Sequence, residues 1–299
     1  MARRVPFEYD RRERIGTPDD DFLDLDWGYP RTNGDPGVSR AAILTHGLEG
    51  SADRTYMRGM AQALVRRNWD VCAWNLRGCS GEPNRRVPTY HSGKTEDLAV
   101  VVEHVLAEGY TEIALVGFSL GGNMTLKYLG ERGGDVDPRI ERAAVFSVPV
   151  QLAASARRIS SLPNWHYSQY FLRSLRQTIR TKAKQHPDAV STEPFADIRT
   201  LRDFDDVYTA PLNGFRSAAD YYDRASSRQF LDDLTVPTLL VNARNDPFLA
   251  DSCYPVDAAR SSDALTLETP ESGGHVGFVA FNDAGEYWSE QRAGDWLSG

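Results

Sequence analysis

The sequence predicts an α/β fold, in which helices flank a mostly parallel central sheet. Five short and nearly continuous apolar runs are typical of strands that are buried on both faces of such a sheet; they are Ala41–Thr45, Val71–Trp74, Ile113–Val116, Ala143–Phe146 and Thr238–Val241. Segments with helical patterning separate the first four runs, at Tyr56–Arg67, Thr95–Ala107 and Leu120–Glu131. Because strand and helix alternate along the chain, we expect a doubly wound sheet.

Weaker patterns extend this sheet at both ends of the chain. Residues 23–27 alternate between apolar and acidic side chains, which predicts a half-exposed strand, and we expect it to pair with Phe7–Tyr9 in a hairpin. A last strand is expected around Leu265–Leu267, followed by a C-terminal helix around Ala284–Leu297.

The alternation stops between Pro149 and Val236. This stretch is too long for a loop in a compact domain, and it contains helical patterns around Trp165–Lys184 and Ser217–Ser226. We therefore interpret the chain as a single domain, with a core of residues 1–148 and 236–299 and a helical cap insertion of about residues 149–235.

The composition of the chain excludes several classes of function. Of its 299 residues, 41% are hydrophobic, which is enough apolar surface to exclude a fully disordered chain. Its 34 basic and 42 acidic residues give a net charge of −8, which disfavours nucleic-acid binding. No apolar run is long enough to span a bilayer, the first residues show no secretory signal, and three distant cysteines fit reduced thiols. We expect a cytoplasmic globular protein.

A Gly-x-Ser-x-Gly pattern stands at Gly117–Gly121, between a predicted strand and a predicted helix. Strand, tight turn and helix in this order are the context of a nucleophile elbow, which exposes a serine hydroxyl. A serine hydroxyl is weakly acidic, so it attacks a carbonyl carbon only with the help of a base and an orienting acid. Ser119 is therefore the candidate nucleophile. The alternative is a glycine-rich turn in which Ser119 only caps the helix.

The acid and then the base are expected after Ser119 in the chain, just beyond the ends of later strands. Of the six histidines, His275 alone follows the last predicted strand, after a flexible glycine pair. Asp246 lies where the strand Thr238–Val241 ends, and Asp251 is the second choice. The alternatives are structural, namely a histidine in a glycine turn and an aspartate that only shapes a turn.

Two backbone N–H groups are predicted to bind the oxyanion of the tetrahedral intermediate. One is that of Leu120, the residue after the nucleophile. The other comes from the loop after the first central strand, where Leu48 is the first choice and Gly47 the second. The spacing of the cysteine, histidine and aspartate residues predicts no metal site, and the expected chemistry needs no cofactor.

Several stretches of the chain resemble the YheT-like branch of the α/β-hydrolase superfamily, whose eukaryotic relatives are α/β-hydrolase-domain esterases and phospholipases. They are His46–Ser51, Arg77–Asn84, Tyr90–Asp97, Gly117–Asn123, Asn213–Tyr222 and Asn242–Phe248. The second and third stretches are the specific part, and we expect them to shape the substrate pocket or to build a network of turns. The resemblance implies the α/β-hydrolase fold and the hydrolysis of carboxylic esters. It assigns the family's serine, aspartate and histidine to Ser119, Asp246 and His275.

The predicted function is that of a serine hydrolase, which cleaves a short-chain or lipid ester through an acyl-serine intermediate. Two alternatives stay open. An acyltransferase or thioesterase would use the same three residues, and a non-catalytic scaffold would bind a small apolar ligand. The sequence does not separate hydrolysis from acyl transfer, because the acyl-serine intermediate is common to both.

The predicted helix Trp165–Lys184 has a basic side. Between Arg142 and Pro187 the chain has eight Lys or Arg residues and no Asp or Glu. Helical spacing places five apolar side chains on one face, namely Trp165, Phe171, Leu172, Leu175 and Ile179. Lys182 intrudes on this face, and the adjoining face holds Arg173, Arg176, Arg180 and Lys184. Such a helix is either a packed lid with a solvated basic side or a peripheral contact with anionic lipid.

Overall fold

The computed structural model describes residues 3–31 and 40–299, and eight strands in these residues form one sheet. The strands are β1 (Arg11–Gly16), β2 (Phe22–Gly28), β3 (Arg40–Thr45), β4 (Asp70–Asn75), β5 (Glu112–Phe118), β6 (Ile140–Phe146), β7 (Thr238–Val241) and β8 (Leu265–Glu268). Their order across the sheet is β1-β2-β4-β3-β5-β6-β7-β8. β2 pairs antiparallel with β1 and β4, and all other neighbours are parallel. The mostly parallel sheet confirms the predicted fold class.

Helices cover both faces of the sheet. Those in the described residues are α1 (Thr55–Val65), α2 (Thr95–Ala107), α3 (Leu120–Arg132), α4 (Leu152–Ile159), α5 (Trp165–Gln185), α6 (Leu201–Phe204), α7 (Ala210–Leu212), α8 (Ala218–Ala225), α9 (Val256–Ser261) and α10 (Trp288–Leu297). α1 and α10 pack on one face, and α2 and α3 pack on the other. None of these helices combines the length and the apolar character that a membrane crossing requires.

Alternate residues of the central strands build two apolar clusters, one on each side of the sheet. Ile43 and Leu115 point toward α2 and α3, whereas Leu44 and Val116 point toward α1 and α10. Because both faces are covered, neither set of residues can be polar, and the strands are continuous apolar runs in the sequence. The parallel strands end at one common edge of the sheet, which positions the residues that follow β3, β5 and β7.

The N-terminal hairpin differs from the prediction in its partner strand and in its burial. β2 pairs with β1 and not with Phe7–Tyr9, and it is buried along its whole length instead of half-exposed. Burial is tolerated because the acidic side chains of β2 bind arginines of β1. The Nε atoms of Arg12 and Arg14 lie 2.7 Å from carboxylate oxygens of Asp26 and Asp24, respectively.

Residues 149–235, which we call the inserted segment, separate β6 from β7. They contain α4 to α8 and a π-helical turn at Asp205–Thr209. α5 and the chain that follows it bury a cluster of their own, formed by Leu172, Leu175, Ile179, Val190, Ile198, Leu201, Phe204 and Tyr208. The inserted segment therefore has an apolar interior in addition to the two clusters of the sheet.

Helix α5 follows its predicted apolar face only in part. Its middle buries three of the five predicted residues, Leu172, Leu175 and Ile179. Trp165, at the start of the helix, is 61% exposed, which the helical spacing did not predict. Lys182 is buried, and its Nζ donates hydrogen bonds to the carbonyl oxygens of Asn84 (2.8 Å) and Arg86 (2.5 Å). Burial lowers the pKa of Lys182 to about 8.

Candidate active site

Ser119 lies in a tight turn between β5 and α3. Its backbone φ is 53° and its ψ is −117°, a conformation that residues with side chains rarely adopt. The turn closes because its flanking residues are glycines: a Cβ on Gly121 would lie 2.4 Å from the carbonyl oxygen of Thr45, and a Cβ on Gly117 would lie 2.7 Å from that of Gly121. Ser119 makes no side-chain capping hydrogen bond to α3. The geometry therefore does not favour the alternative in which Ser119 only caps the helix.

The side chains of Ser119, His275 and Asp246 form a chain of hydrogen bonds. Nε2 of His275 lies 2.9 Å from Oγ of Ser119, and Nδ1 of His275 lies 2.9 Å from Oδ2 of Asp246. Asp246 is 3% exposed, and its Oδ1 also accepts the backbone N–H of Phe248. Because a carboxylate only accepts hydrogen bonds, this geometry assigns the proton of the neutral imidazole to Nδ1. Nε2 is then free to accept the hydroxyl of Ser119.

The structure brings only one of the two candidate acids to His275. Asp246 follows β7 at the common edge of the sheet, and its carboxylate contacts the imidazole. Asp251 is exposed at the start of the short turn Asp251–Cys253. The geometry therefore favours the first choice, Asp246, over Asp251.

Three residues that the sequence patterns did not single out hold His275 in place. Oδ1 of Asn245 accepts the two backbone N–H groups directly before His275, at 3.0 and 2.8 Å. Oγ of Ser147 accepts the N–H group directly after it, at 2.9 Å. The centroid of the Phe248 ring lies 4.4 Å from the centroid of the imidazole ring. The position of Asn245 beside Asp246, just after a buried strand, is the one signal in the sequence that could have indicated its role.

The loop between β3 and α1 lies directly against the serine, since a Cβ on Gly47 would lie 3.2 Å from Cβ of Ser119. His46 at its start is fully buried, where Nε2 accepts a backbone N–H group (3.1 Å) and Nδ1 donates to the carbonyl oxygen of Gly47 (2.8 Å). Burial lowers the pKa of His46 to about 4, so this ring stays neutral. Leu48 and Leu120, the residues predicted to supply the oxyanion donors, both line the cavity that contains Ser119.

This cavity has a volume of about 120 Å³ and lies between Ser119 and the inserted segment. Much of its wall is apolar, with side chains from Leu152, Ile159, Leu175, Ile179, Leu201 and Phe204. His91 lines it on the core side, and burial lowers the pKa of that imidazole to about 3, so the ring is neutral. In the described part of the chain, no Lys or Arg side chain lines the cavity. The cavity is therefore suited to an apolar group.

One carboxyl group of the inserted segment faces the same cavity. Asp205 accepts hydrogen bonds of 2.6 Å from the hydroxyls of Tyr222 and Thr209. Both donors are uncharged, and burial raises the pKa of Asp205 to about 6. The carboxylate of Asp205 is therefore ionised only above weakly acidic pH.

Residues of the two specific motifs, 77–84 and 90–97, take part in a network of charged and polar side chains that is buried except at Asp19, which is exposed. Arg77 donates two hydrogen bonds of 2.7 Å to the carboxylate of Asp97 and also contacts Asp19 and Asp21, at 2.6 and 3.2 Å. Nδ2 of Asn84 donates to Asp21 at 2.6 Å. The same part of the chain supplies four residues to the cavity wall, Thr89, Tyr90, His91 and Ser92. The motifs thus form both a network of turns and part of the pocket.

One group of side chains has the composition of a metal site. Ligand atoms of Glu13, His104 and Glu108 lie within 4.8 Å of one another. The carboxylate of Glu13 already accepts the indole N–H of Trp27 (3.0 Å) and pairs with Arg11 (2.9 Å). Glu13 lies in β1, His104 in α2 and Glu108 directly after α2, and none of the three is assigned to the chemistry.

Comparison with known proteins agrees with this architecture. Residues 43–280 match the model of a family described as alpha/beta hydrolase fold. YheT of Escherichia coli (strain K12), named as an esterase, is 33% identical over 96% of this chain and 84% of its own length. Phospholipase ABHD3 of Mus musculus is 30% identical over 93% of this chain and 68% of its own length.

A solved structure provides an independent comparison of the fold. The Pyrococcus furiosus esterase Pf2001 superposes with a TM-score of 0.64, over 98% of this chain and 91% of that one, at 18% sequence identity. At this identity the likeness concerns the fold alone. The strand order, the matching family model and the sequence relatives lead to one conclusion: the chain belongs to the α/β-hydrolase family, as a YheT-like carboxylic ester hydrolase.

Proposed function

We propose that the protein is a serine hydrolase in which Ser119 is the nucleophile, His275 the general base and Asp246 the orienting acid. The observation that supports this proposal best is the pair of 2.9 Å hydrogen bonds that joins the three side chains in this order. The tight glycine-flanked turn at Ser119 and the burial of Asp246 add to it, because both restrict the geometry in which the hydroxyl and the imidazole meet.

In the first step, Oγ of Ser119 bonds to the carbonyl carbon of the ester while Nε2 of His275 takes the hydroxyl proton. The tetrahedral intermediate then loses the alcohol: the C–O bond breaks, and Nε2 gives the proton to the leaving oxygen. Water attacks the acyl-serine by the same route and releases the acid. Asp246 keeps Nδ1 protonated and stabilises the imidazolium that forms in each half-reaction.

We assign the oxyanion hole to the backbone N–H groups of Leu48 and Leu120. Leu120 is the first residue of α3, at the positive end of the helix dipole. Leu48 belongs to the loop against Ser119, and its N–H has no backbone acceptor among the described residues. Each donor of this kind typically contributes about 10²–10³ in kcat.

We propose that the acyl chain of a short-chain or lipid ester occupies the cavity above Ser119. The apolar wall favours such a chain, since burying it removes apolar surface from water. One relative is named a phospholipase, which supports a lipid ester as substrate. In this proposal, residues 1–148 and 236–299 form the core of a single domain, and the inserted segment is its cap.

We further propose that the start of α5 contacts anionic lipid. Four large apolar side chains are exposed at or just before this end of the helix, Leu162 (90%), Trp165 (61%), Tyr167 (40%) and Tyr170 (57%). The nearest exposed arginines in the chain are Arg157, Arg158 and Arg173. Arg176, which belongs to the predicted basic face, is unavailable because it donates to the carbonyl oxygen of Ile198 at 2.7 Å.

This surface adjoins the active site. Tyr167 lies in the first turn of α5, and its ring centroid is 4.9 Å from that of Phe248. The ring centroid of Phe248 is in turn 4.4 Å from that of the His275 imidazole. A lipid ester delivered at the start of α5 would therefore reach the serine over a short path.

A fluorophosphonate probe tests the nucleophile. The wild-type protein should be labelled on the peptide that contains Ser119, as read by mass spectrometry, and it should hydrolyse p-nitrophenyl esters. S119A should take no label, and its kcat should fall by a factor of about 10⁶, because the nucleophile and its base act as a unit. The thermal midpoint should not change. S261A, which removes an exposed hydroxyl on α9, is the matched control; label that persists in S119A would contradict the assignment.

Acyl transfer to an acceptor other than water remains the open alternative to hydrolysis. It uses the same acyl-serine, and the acceptor decides the product. Adding ethanol to the ester assay separates the two reactions, because transfer yields an ethyl ester and hydrolysis yields the free acid.

A further inference from the structure

Glu49 occupies an unusual backbone position in the loop that carries Leu48. The two residues are the centre of a tight turn, closed by a hydrogen bond of 3.0 Å from the N–H of Gly50 to the carbonyl oxygen of Gly47. Glu49 has a φ of 52°, in the left-handed region that glycine adopts most readily. A residue with a side chain persists there only when its surroundings hold it.

The side chain of Glu49 is held from two directions. On the core side, Oε1 accepts the hydroxyl of Tyr90 at 2.6 Å, and that hydroxyl accepts the N–H of Glu49 at 2.9 Å. On the side of the inserted segment, Oε2 accepts the hydroxyls of Ser174 and Thr178, which stand one turn apart on α5, the second at 3.4 Å. Burial raises the pKa of Tyr90 well above its usual value, so this hydroxyl stays protonated and keeps donating.

These contacts make Glu49 a link between α5 and the loop against Ser119. The mechanism described above does not use the carboxylate, and the closed loop could be built more easily with glycine at this position. The side chain must therefore offset the unfavourable backbone conformation through its three hydrogen-bonding contacts. If α5 moves away, Oε2 loses both of its donors, and the turn is free to relax.

We propose that Glu49 is a positioning residue. Through its side chain, the direction of the backbone N–H of Leu48 depends on the position of α5 on the core. The inference rests on the proposed role of this N–H group in the oxyanion hole. The direction of the Leu48 N–H depends on the conformation of the turn, and Glu49 couples that conformation to two hydroxyls of the inserted segment. The hole is complete only when α5 is in place over the cavity.

The variant that tests the link is S174A. Ser174 does not line the cavity, whereas its acceptor Glu49 does, so the hydroxyl of Ser174 does not contact a substrate bound there. We expect S174A to lower kcat for p-nitrophenyl butyrate about tenfold, a fraction of the loss caused by removing a whole oxyanion donor. KM should stay within about twofold of wild type, because the change concerns the transition state.

A transition-state mimic gives a second readout that a merely structural role would not move. A trifluoromethyl ketone forms a hemiketal with Ser119 whose oxyanion occupies the hole, and S174A should weaken its inhibition about tenfold, in parallel with kcat. T181A is the matched control. Thr181 is on the same helix, and its hydroxyl donates to the carbonyl oxygen of Gln177 at 3.2 Å. Removing this hydroxyl should leave kcat and the inhibition constant unchanged.

Coupling between the residues completes the test. E49G places a glycine in the left-handed conformation, which glycine adopts readily, and removes the carboxylate that links the turn to α5. Its kcat should fall at least as far as that of S174A. Adding S174A to E49G should then have no further effect, since the hydroxyl has lost its acceptor. S174A remains informative if E49G fails to fold.

Two results would overturn the inference while leaving the proposed function intact. One is an S174A protein whose kcat and inhibition constant stay within about twofold of wild type; the other is a change confined to KM, which would make Glu49 a substrate contact. A wild-type protein that takes no fluorophosphonate label and hydrolyses no ester would remove the proposed function, and the inference with it.

Discussion

The edge of the sheet and the inserted segment hold their polar groups in two different ways. At the sheet edge, close backbone contacts dominate: glycines at residues 117 and 121 pack against neighbouring backbone, which orients Ser119. In the inserted segment, single side chains reach across to distant parts of the chain. Lys182 donates to the carbonyl oxygens of Asn84 and Arg86, and Ser174 donates to Glu49.

The difference separates rigid positions from adjustable ones. Contacts between backbone atoms and glycines change only if the chain itself moves, so the turn holds Ser119 in one geometry. Contacts made by a single hydroxyl, ammonium or carboxyl group can be lost one at a time or by a change of protonation. We therefore expect substitutions at the sheet edge to act on the chemistry in an all-or-none manner, and those in the inserted segment to have graded effects.

The largest of the following effects is expected at the sheet edge, for D246N. Asparagine keeps the size of the side chain but no longer holds the proton on Nδ1 of His275, so kcat should fall by about 10³–10⁴. Steady-state kinetics with a p-nitrophenyl ester measures the loss. D251N is the matched control, because Asp251 is exposed and follows the same strand. If D246N were nearly as active as wild type and D251N inactive, Asp251 would be the acid.

The second prediction concerns the outer surface of the inserted segment. Neutralising Arg157, Arg158 and Arg173 together to Gln should weaken binding to anionic vesicles by about 1 kcal/mol per charge. Co-sedimentation with phosphatidylcholine vesicles, with and without phosphatidylserine, measures the effect. Binding by the wild type should rise with phosphatidylserine and fall in high salt, because exposed charges are screened.

A charge-matched control distinguishes this surface from net charge alone. Arg199, Arg216 and Arg224 are also exposed and belong to the same segment, away from Trp165 in the chain. Their replacement by Gln should change vesicle binding less than the first set. Equal losses in both triple variants, or binding that does not depend on lipid charge, would leave α5 as a lid without a lipid contact.

The smallest effect is expected inside the inserted segment, for D205N. Burial raises the pKa of Asp205 from 3.8 to about 6, so the folded protein holds this proton more tightly than the unfolded chain does. The stability that protonation contributes is present below pH 3.8 and is lost as pH rises through about 6. The wild type should therefore lose stability relative to D205N across this window, by less than the roughly 3 kcal/mol to which the full pKa difference converts.

Urea denaturation of the two proteins at a series of pH values measures this difference. D223N, which removes an exposed carboxylate of α8, controls for the change in net charge. A difference between wild type and D205N that is constant with pH would mean that Asp205 titrates alike in the folded and unfolded chain. The contrast between the two regions would then not extend to protonation.

The sequence by itself determined the fold class and the residues of the proposed reaction. Buried parallel strands must be apolar on both faces, so they are visible as short continuous runs, and the glycines around Ser119 are required by backbone contacts within a few residues of it. The order of nucleophile, acid and base follows from the topology of the sheet. These are local or topological constraints, and a single sequence displays them.

Only the tertiary structure decided which side chains meet across distant parts of the chain. The alternating pattern predicts that Asp24 and Asp26 face solvent, whereas the structure pairs both carboxylates with arginines of β1. The helical pattern placed Trp165 on the buried face and did not predict the carbonyl partners of Lys182, because helical periodicity describes one face averaged along the whole helix. Glu49 and Ser174 are 125 residues apart in the chain. Their contact depends on how α5 is seated over the core, which no local pattern records.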